Sequence, residues 1–145
     1  MNLNQNFKII NSIKCHKSGV VCIDNNEKFI FTGGEDGDIS ILHDGVVIQK
    51  IERAHNAQIS GIKLLTVQIE NRKVNLLISA SLDQRINVFR LTDTCDIIPE
   101  ASYKTAVSDL TGFDAVRDGS TILIALAGQG LQLILYNHHE STTPH

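Results

Sequence analysis

The chain has no tryptophan, two prolines and three cysteines among its 145 residues, and its longest cationic cluster is the pair Arg72-Lys73. Each scarcity narrows the field. Cys15, Cys22 and Cys95 are odd in number and not closely paired, which fits a reducing compartment better than a disulfide framework. Scattered Lys and Arg with a net charge of −3 argue against nucleic-acid binding by this chain alone, because phosphate contacts need clustered cations. No Asn-x-Ser/Thr acceptor occurs, and "MNLNQNFKII" has no basic region followed by an apolar stretch, so no secretory signal is expected. The most apolar segment, Thr121 to Tyr136, is too short for a helical membrane span and is broken by Gly128-Gln129-Gly130. The expected location is the cytoplasm. Neither Pro99 nor Pro144 interrupts an expected strand.

What remains is an ordinary soluble composition, 42% hydrophobic and 20% charged, in a chain long enough for one domain. Long helical periodicity is missing. Short apolar runs alternate with polar residues instead: "FKIINSI", "VVCID", "KFIFT", "DISIL", "VVIQKI", "ISGIKLL", "VNLLIS", "RINVF", "TILIAL" and "LQLILY". Gly, Asn, Asp or Ser bounds each run, as expected of strands. Many short strands at even spacing point to an all-β sandwich, barrel or propeller.

The chain also repeats itself. His16, a strand and "FTGGEDGDISIL" make one unit; His55, a strand and "ISASLDQRINVF" make the next. His16 and His55 are 39 positions apart, Asp36 and Asp83 are 47 apart, and the difference is an insertion around "VQIENRK", read as a longer surface hairpin loop. A third, degenerate unit, "VSDLTGFDAV" then "STILIALAGQGLQLILY", lacks the His and has Gly128-Gln129-Gly130 where the Asp turn was.

The stretch "GGEDGD", Gly33 to Asp38, admits three chemistries. A calcium loop needs oxygen ligands across about 12 residues and a closing bidentate Glu, whereas apolar strand residues follow Asp38. A phosphate cradle needs a helix after it, and a strand follows. A hairpin turn fits Asp36-Gly37 between apolar runs, because Gly accepts positive φ.

These residues resemble WD40 repeats, the four-stranded blades of β-propellers, in the period, the His before the first strand and the Asp in the turn before the third. The resemblance implies an all-β fold of about three WD40-type blades, an incomplete propeller. It divides residues 1–137 into an outer strand of a preceding blade (7–13), blades at 14–53 and 54–104, and a degenerate last blade at 105–137. Residues 138–145 are expected to form a flexible tail. It further implies a structural relay of His16, Thr32 and Asp36 in one unit and His55, Ser79 and Asp83 in the next. The family's indole donor is missing, with Leu42 and Phe89 in its places. "SASLDQRINVFRL", "VSDLTGFDAV", "ALAGQGLQLILYN", "HKSGV" and "GGEDGDI" are similar to the C-terminal end of the WD-repeat regulatory subunits of tRNA wobble 2′-O-ribose methyltransferases. That similarity implies a non-catalytic scaffold for such an enzyme, indirect or weak tRNA contact, and a C-terminal fragment of a longer propeller. The alternatives are a generic adaptor, in endosomal recycling or ubiquitin-ligase recruitment, and a truncated product without independent function.

No catalytic, cofactor or metal site is expected. The His and Asp recur at equivalent repeat positions, whereas an active site is normally unique. Cys15-His16 supplies two ligands without partners, and His138, His139 and His145 lie in the tail. The expected working surface is the face that carries the turns: Lys17, Glu35, Asp38, Gln58, Gln84, Arg85 and Gln129. Arg85 is the residue of interest there, because a guanidinium can fork onto a carboxylate or phosphate; pairing with Asp83 or Glu35 is the plainer alternative. Three blades leave open edges, so further blades or another chain are expected to cover them, and poor solubility is expected without them.

Overall fold

Alternating apolar runs punctuated by Gly, Asn and Asp satisfy their backbone N–H and C=O groups most simply in antiparallel ladders. In the computed structural model, which describes residues 6–138, eleven strands form three such sheets. The first holds β1 (Val20–Asn25), β2 (Ile30–Gly34), β3 (Ile39–His43) and β4 (Val46–Ile51) in that order. The second holds β5 (Ile59–Ile69), β6 (Arg72–Ser81), β7 (Arg85–Leu91) and β8 (Ile97–Lys104). The third holds β9 (Gly112–Asp118), β10 (Thr121–Gly128) and β11 (Gly130–Asn137), with β10 in the middle. The first strands of successive sheets are neighbours, β1 against β5 and β5 against β9. The architecture is all-β: WD40-type propeller blades, two complete and one a strand short among the described residues. No helix among them is long and apolar enough to cross a membrane.

The sheets face one another through two cores. Phe31, Ile39 and Ile41 of the first blade meet Ile59, Ile62, Leu77 and Phe89 of the second. Leu76, Ile78, Ala80, Ile86 and Val88, also of the second blade, meet Ala115, Ile122, Ile124 and Leu126 of the third. Strand β6 therefore sends alternate side chains into different cores. That is why it reads as a continuous apolar run, while β4 and β11 alternate.

Four expectations need correction. Residues 7–13 pair with no strand among the described residues, and Phe7, Ile9 and Ile10 are 81%, 84% and 93% exposed. The "VQIENRK" insertion is not a loop. It lengthens β5 and β6 to eleven and ten residues, with Val67 paired to Val74 in the core, and closes on Glu70 and Asn71, both at positive φ (48° and 67°). Such a two-residue turn matches the strand twist, so the ladder continues to its tip. Pro99 lies inside a strand, β8, which the apolar pattern missed. As an edge strand with a register shift opposite Pro99, β8 tolerates the missing N–H. His138 is not part of a flexible tail: it is 3% exposed, with Nδ1 3.3 Å from the Tyr136 hydroxyl. His139 and His145 lie outside the described residues.

Candidate functional site

The site is built where each blade's third strand begins. In the first blade the Gly37 N–H closes a turn onto the Gly34 carbonyl at 3.2 Å, and Gly37 adopts φ +80°. Gln84 does the same in the second blade: its N–H reaches the Ser81 carbonyl at 3.2 Å and its φ is +63°. The turn therefore has Glu35 and Asp36 at its centre and Gly37 just after. The carbonyl of each left-handed residue then receives an N–H of the chain leaving for the next blade, His55 onto Gly37 at 3.1 Å and Thr105 onto Gln84 at 2.8 Å.

Each turn is pinned by one histidine. His16 places Nδ1 3.1 Å from Asp36 Oδ1 and Nε2 2.7 Å from Thr32 Oγ1. His55 places Nδ1 3.0 Å from Asp83 Oδ2 and Nε2 2.7 Å from Ser79 Oγ. A carboxylate only accepts, so Nδ1 carries the proton and the hydroxyl donates to Nε2. The same carboxylates take the backbone N–H groups of Lys17 and Asp38 in one blade, and of Asn56 and Arg85 in the other, at 2.9–3.0 Å. Both side chains are fully buried, and both nitrogens of each are engaged inside the protein. They hold the turn against the incoming chain and present nothing to an outside substrate.

Leu42 and Phe89, at the places where the resemblance to WD40 repeats leads one to look for an indole, are both buried. The Cys15 thiol, 3.7 Å from Thr32 Oγ1, approaches the hydroxyl lone pairs instead. A second tie per blade was missed in the sequence. Ser40 Oγ donates to the Cys15 carbonyl at 2.6 Å, and Asn87 Nδ2 donates to the Ala54 carbonyl at 2.7 Å. Both stand four positions beyond the turn Asp, and both are single polar residues between apolar ones ("ISI", "INV"). That shared offset was the available signal.

Lys17, Glu35, Arg85 and Gln129 are exposed, and Gln58 and Gln84 are half-buried. Glu35 Oε1 accepts the Gly19 N–H at 2.7 Å, tying the β2–β3 turn to the loop before β1. In the third blade the Gln129 N–H reaches the Ser108 carbonyl at 2.8 Å. Asp38 is a correction. It is 1% exposed and points inward, where Oδ1 accepts the Arg53 N–H at 2.8 Å. The left-handed Gly37 before it turns its side chain under the blade junction. Arg85 also departs from the expected carboxylate pairing. Its guanidinium donates to Ser102 Oγ at 3.1 Å, Ser102 donates to Asn87 Oδ1 at 2.7 Å, and only its backbone N–H meets Asp83.

Two groups of the relays have shifted acidities. Burial alone would raise Asp36, but the N–H groups of Asp38 and Lys17 and the neighbouring His16 outweigh it and hold the carboxyl below 3.8. Burial holds His55 below 6.5, against the opposing pull of Asp83. Both shifts carry the same sign. A buried neutral imidazole stabilises the fold fully above its unfolded value and loses that contribution as pH falls below about 6.5. The Asp36 contribution is present above 3.8 and is lost in a second, more acidic step. The thermal midpoint should therefore decline as pH goes from 7.5 to 5, and the decline should shrink in His55→Gln. A midpoint flat over that range, or an undiminished decline in the variant, would refute the assignment to His55. The Cys22 thiol, pushed up to about 11 by burial, stays protonated at neutral pH. No group of three or more His, Cys, Asp or Glu among the described residues could hold a metal ion.

Comparison with known proteins adds the following. The family model "WD domain, G-beta repeat" matches residues 7–42, from the start of the unpaired segment to the buried Leu42. No curated protein matches. Among solved structures, the chain is similar to the computationally designed Ika4 protein, at 12% identity and a TM-score of 0.45, covering 90% of this chain and 98% of that one. It is also similar to the computationally designed Ika8 protein, at 13% identity and a TM-score of 0.40, covering 84% of this chain and 46% of that one.

Proposed function

We propose that the chain is a non-catalytic WD-repeat scaffold that docks a protein partner on its turn face, and that the partner is a tRNA wobble 2′-O-methyltransferase. The single observation that carries the scaffold reading is the repeated relay. Two buried histidines, each bonded at both nitrogens, hold two turns rigidly side by side and spend their own chemistry doing so. A surface held in this way is suited to binding, and Lys17, Glu35, Arg85 and Gln129 stand exposed on it. The choice of partner rests on the sequence resemblance of Ser79 to Leu91 and Ala125 to Asn137 to the C-terminal end of such regulatory subunits. In this reading the chain works as the C-terminal part of a ring that other blades complete. The enzyme would bring S-adenosylmethionine and most of the tRNA contact, since a net charge of −3 leaves this chain poorly suited to phosphates.

The test is co-purification of the full chain with the wobble 2′-O-methyltransferase of the same cell. Arg85→Ala should weaken that binding about tenfold, the loss of one well-placed ionic hydrogen bond, without lowering the thermal midpoint. Ser102 takes one of the five guanidinium donors, and a carboxylate on the enzyme would engage others. Failure of the enzyme to co-purify removes the methyltransferase and leaves a general adaptor. Unchanged binding by Arg85→Ala moves the contact elsewhere on the surface.

A further inference from the structure

We propose that the end of the second blade opposite the turn face holds one phosphate monoester, a phosphorylated serine or threonine side chain of a partner protein, between Arg72, Lys73 and Arg90. This goes beyond the scaffold reading and does not depend on which protein docks on the turn face.

The cluster stands on features that only the second blade has. Strands β5 and β6 run to eleven and ten residues, against six and five for β1 and β2. The extra length carries Arg72-Lys73, the chain's longest cationic cluster, to the end of the sheet away from the β6–β7 turn. Arg90 stands where the first blade has His43, by the same offset of 47 that relates Asp83 to Asp36. The relay residues repeat because they are architecture. These three cations do not repeat, as befits a site.

The strand register brings them together. Arg72, Val74 and Leu76 alternate onto one face of β6, and Arg90 of β7 lies opposite Leu76, so both guanidiniums rise from the same face. Both line a cleft of about 270 Å³ together with Lys73 and, from the β7–β8 connection, Thr92 and Asp93. Glu100 of β8 accepts Arg90 Nε at 2.7 Å, which orients the guanidinium and leaves its two terminal nitrogens free of other partners among the described residues. The Arg72 and Lys73 side chains are exposed and meet no carboxylate among the described residues. Three cations thus line the cleft with one carboxylate, Asp93.

The surroundings choose the ligand. A nucleic acid needs a track of cations, and the other basic residues of the chain are scattered. A lipid surface needs apolar side chains beside the headgroup site, and none of the large apolar residues left exposed among the described residues falls within 66–75 or 90–96. A single phosphorylated side chain needs neither. Its phosphate carries close to two negative charges at neutral pH, and guanidiniums fork onto its oxygens.

The probe is N-acetyl-phosphoserine methylamide, titrated into the isotope-labelled full chain and followed by backbone amide signals. Those of residues 72–74 and 90–93 should move and saturate, and the unphosphorylated serine compound should move none. Arg72→Gln should raise the dissociation constant about tenfold, the loss of one charge-assisted hydrogen bond. Asp93→Asn should lower it, because the acid facing the phosphate is gone. Both residues are exposed, so the variants keep their fold. Lys50→Gln removes the same charge from an exposed position of β4 and should leave the constant unchanged. Shifts that do not saturate or that spread over the whole surface, equal weakening by Lys50→Gln and Arg72→Gln, or a short oligouridylate binding at these amides as tightly as the phosphoserine compound would overturn the proposal.

Discussion

Gly37→Ala is expected to cost about 3 kcal/mol of stability, read as a lowered urea midpoint at unchanged slope. Two separate penalties meet at this position. The backbone is left-handed at φ +80°, which costs an L-residue roughly 1–2 kcal/mol. An added Cβ would also collide with the backbone carbonyl of His55, the first residue of the second relay. That atom cannot swing aside as a side chain would, because Gly37 and His55 are held by the hydrogen bond between His55 N–H and the Gly37 carbonyl. The second blade offers the control. Gln84 sits at the equivalent turn position with φ +63°, so the left-handed conformation by itself is survivable. Gln84→Gly should accordingly stabilise the protein by about 1 kcal/mol, opposite in sign to Gly37→Ala. Equal and small effects at both positions would mean that the His55 carbonyl does not crowd Gly37.

Asp83→Ala is expected to destabilise by a similar amount, about 3 kcal/mol, for a different reason. The carboxylate gathers three donors, the His55 ring at 3.0 Å and the N–H groups of Asn56 and Arg85 at 3.0 and 2.9 Å. Removing it strands the buried His55 ring, while water can take the exposed N–H groups of Asn56 and Arg85, and an unmade buried hydrogen bond costs more than a made one contributes. Lys63→Ala is the comparison. Its ion pair with Asp114 is half-exposed, and surface pairs of this kind contribute at most about 1 kcal/mol. Guanidinium or urea melts followed by circular dichroism separate the two. An Asp83→Ala loss no larger than that of Lys63→Ala would show that the relay does not hold the turn.

Much of this was legible without coordinates, for a reason specific to repeats. His16 and Asp36 recur as His55 and Asp83, so one pattern fitted to two places identifies residues that sequence distance would never associate. The strands announced themselves as short apolar runs, except β9, whose "GFDAVRD" is largely polar, and β8, whose "IIPEASYK" carries a proline that normally speaks against a strand. The insertion misled in the other direction. Its charges suggested a loop, yet charge on one face and Val67 and Val74 on the other is what a half-buried hairpin requires. Ser40 and Asn87 went unnoticed because a single polar residue in a strand gives no hint of the carbonyl it will meet.

By itself, then, the sequence determined an all-β chain of repeated units, the hairpin nature of Gly33 to Asp38, and which histidine shares a unit with which aspartate. These depend on local spacing and backbone preference, which the chain carries with it. The tertiary structure alone decided that Asp38 turns inward to Arg53, that Arg85 reaches Ser102, that His138 is buried, and that Phe7 to Ile13 join no sheet among the described residues. Each of these depends on what stands across a gap from the residue, and that is fixed only when one blade is laid against the next.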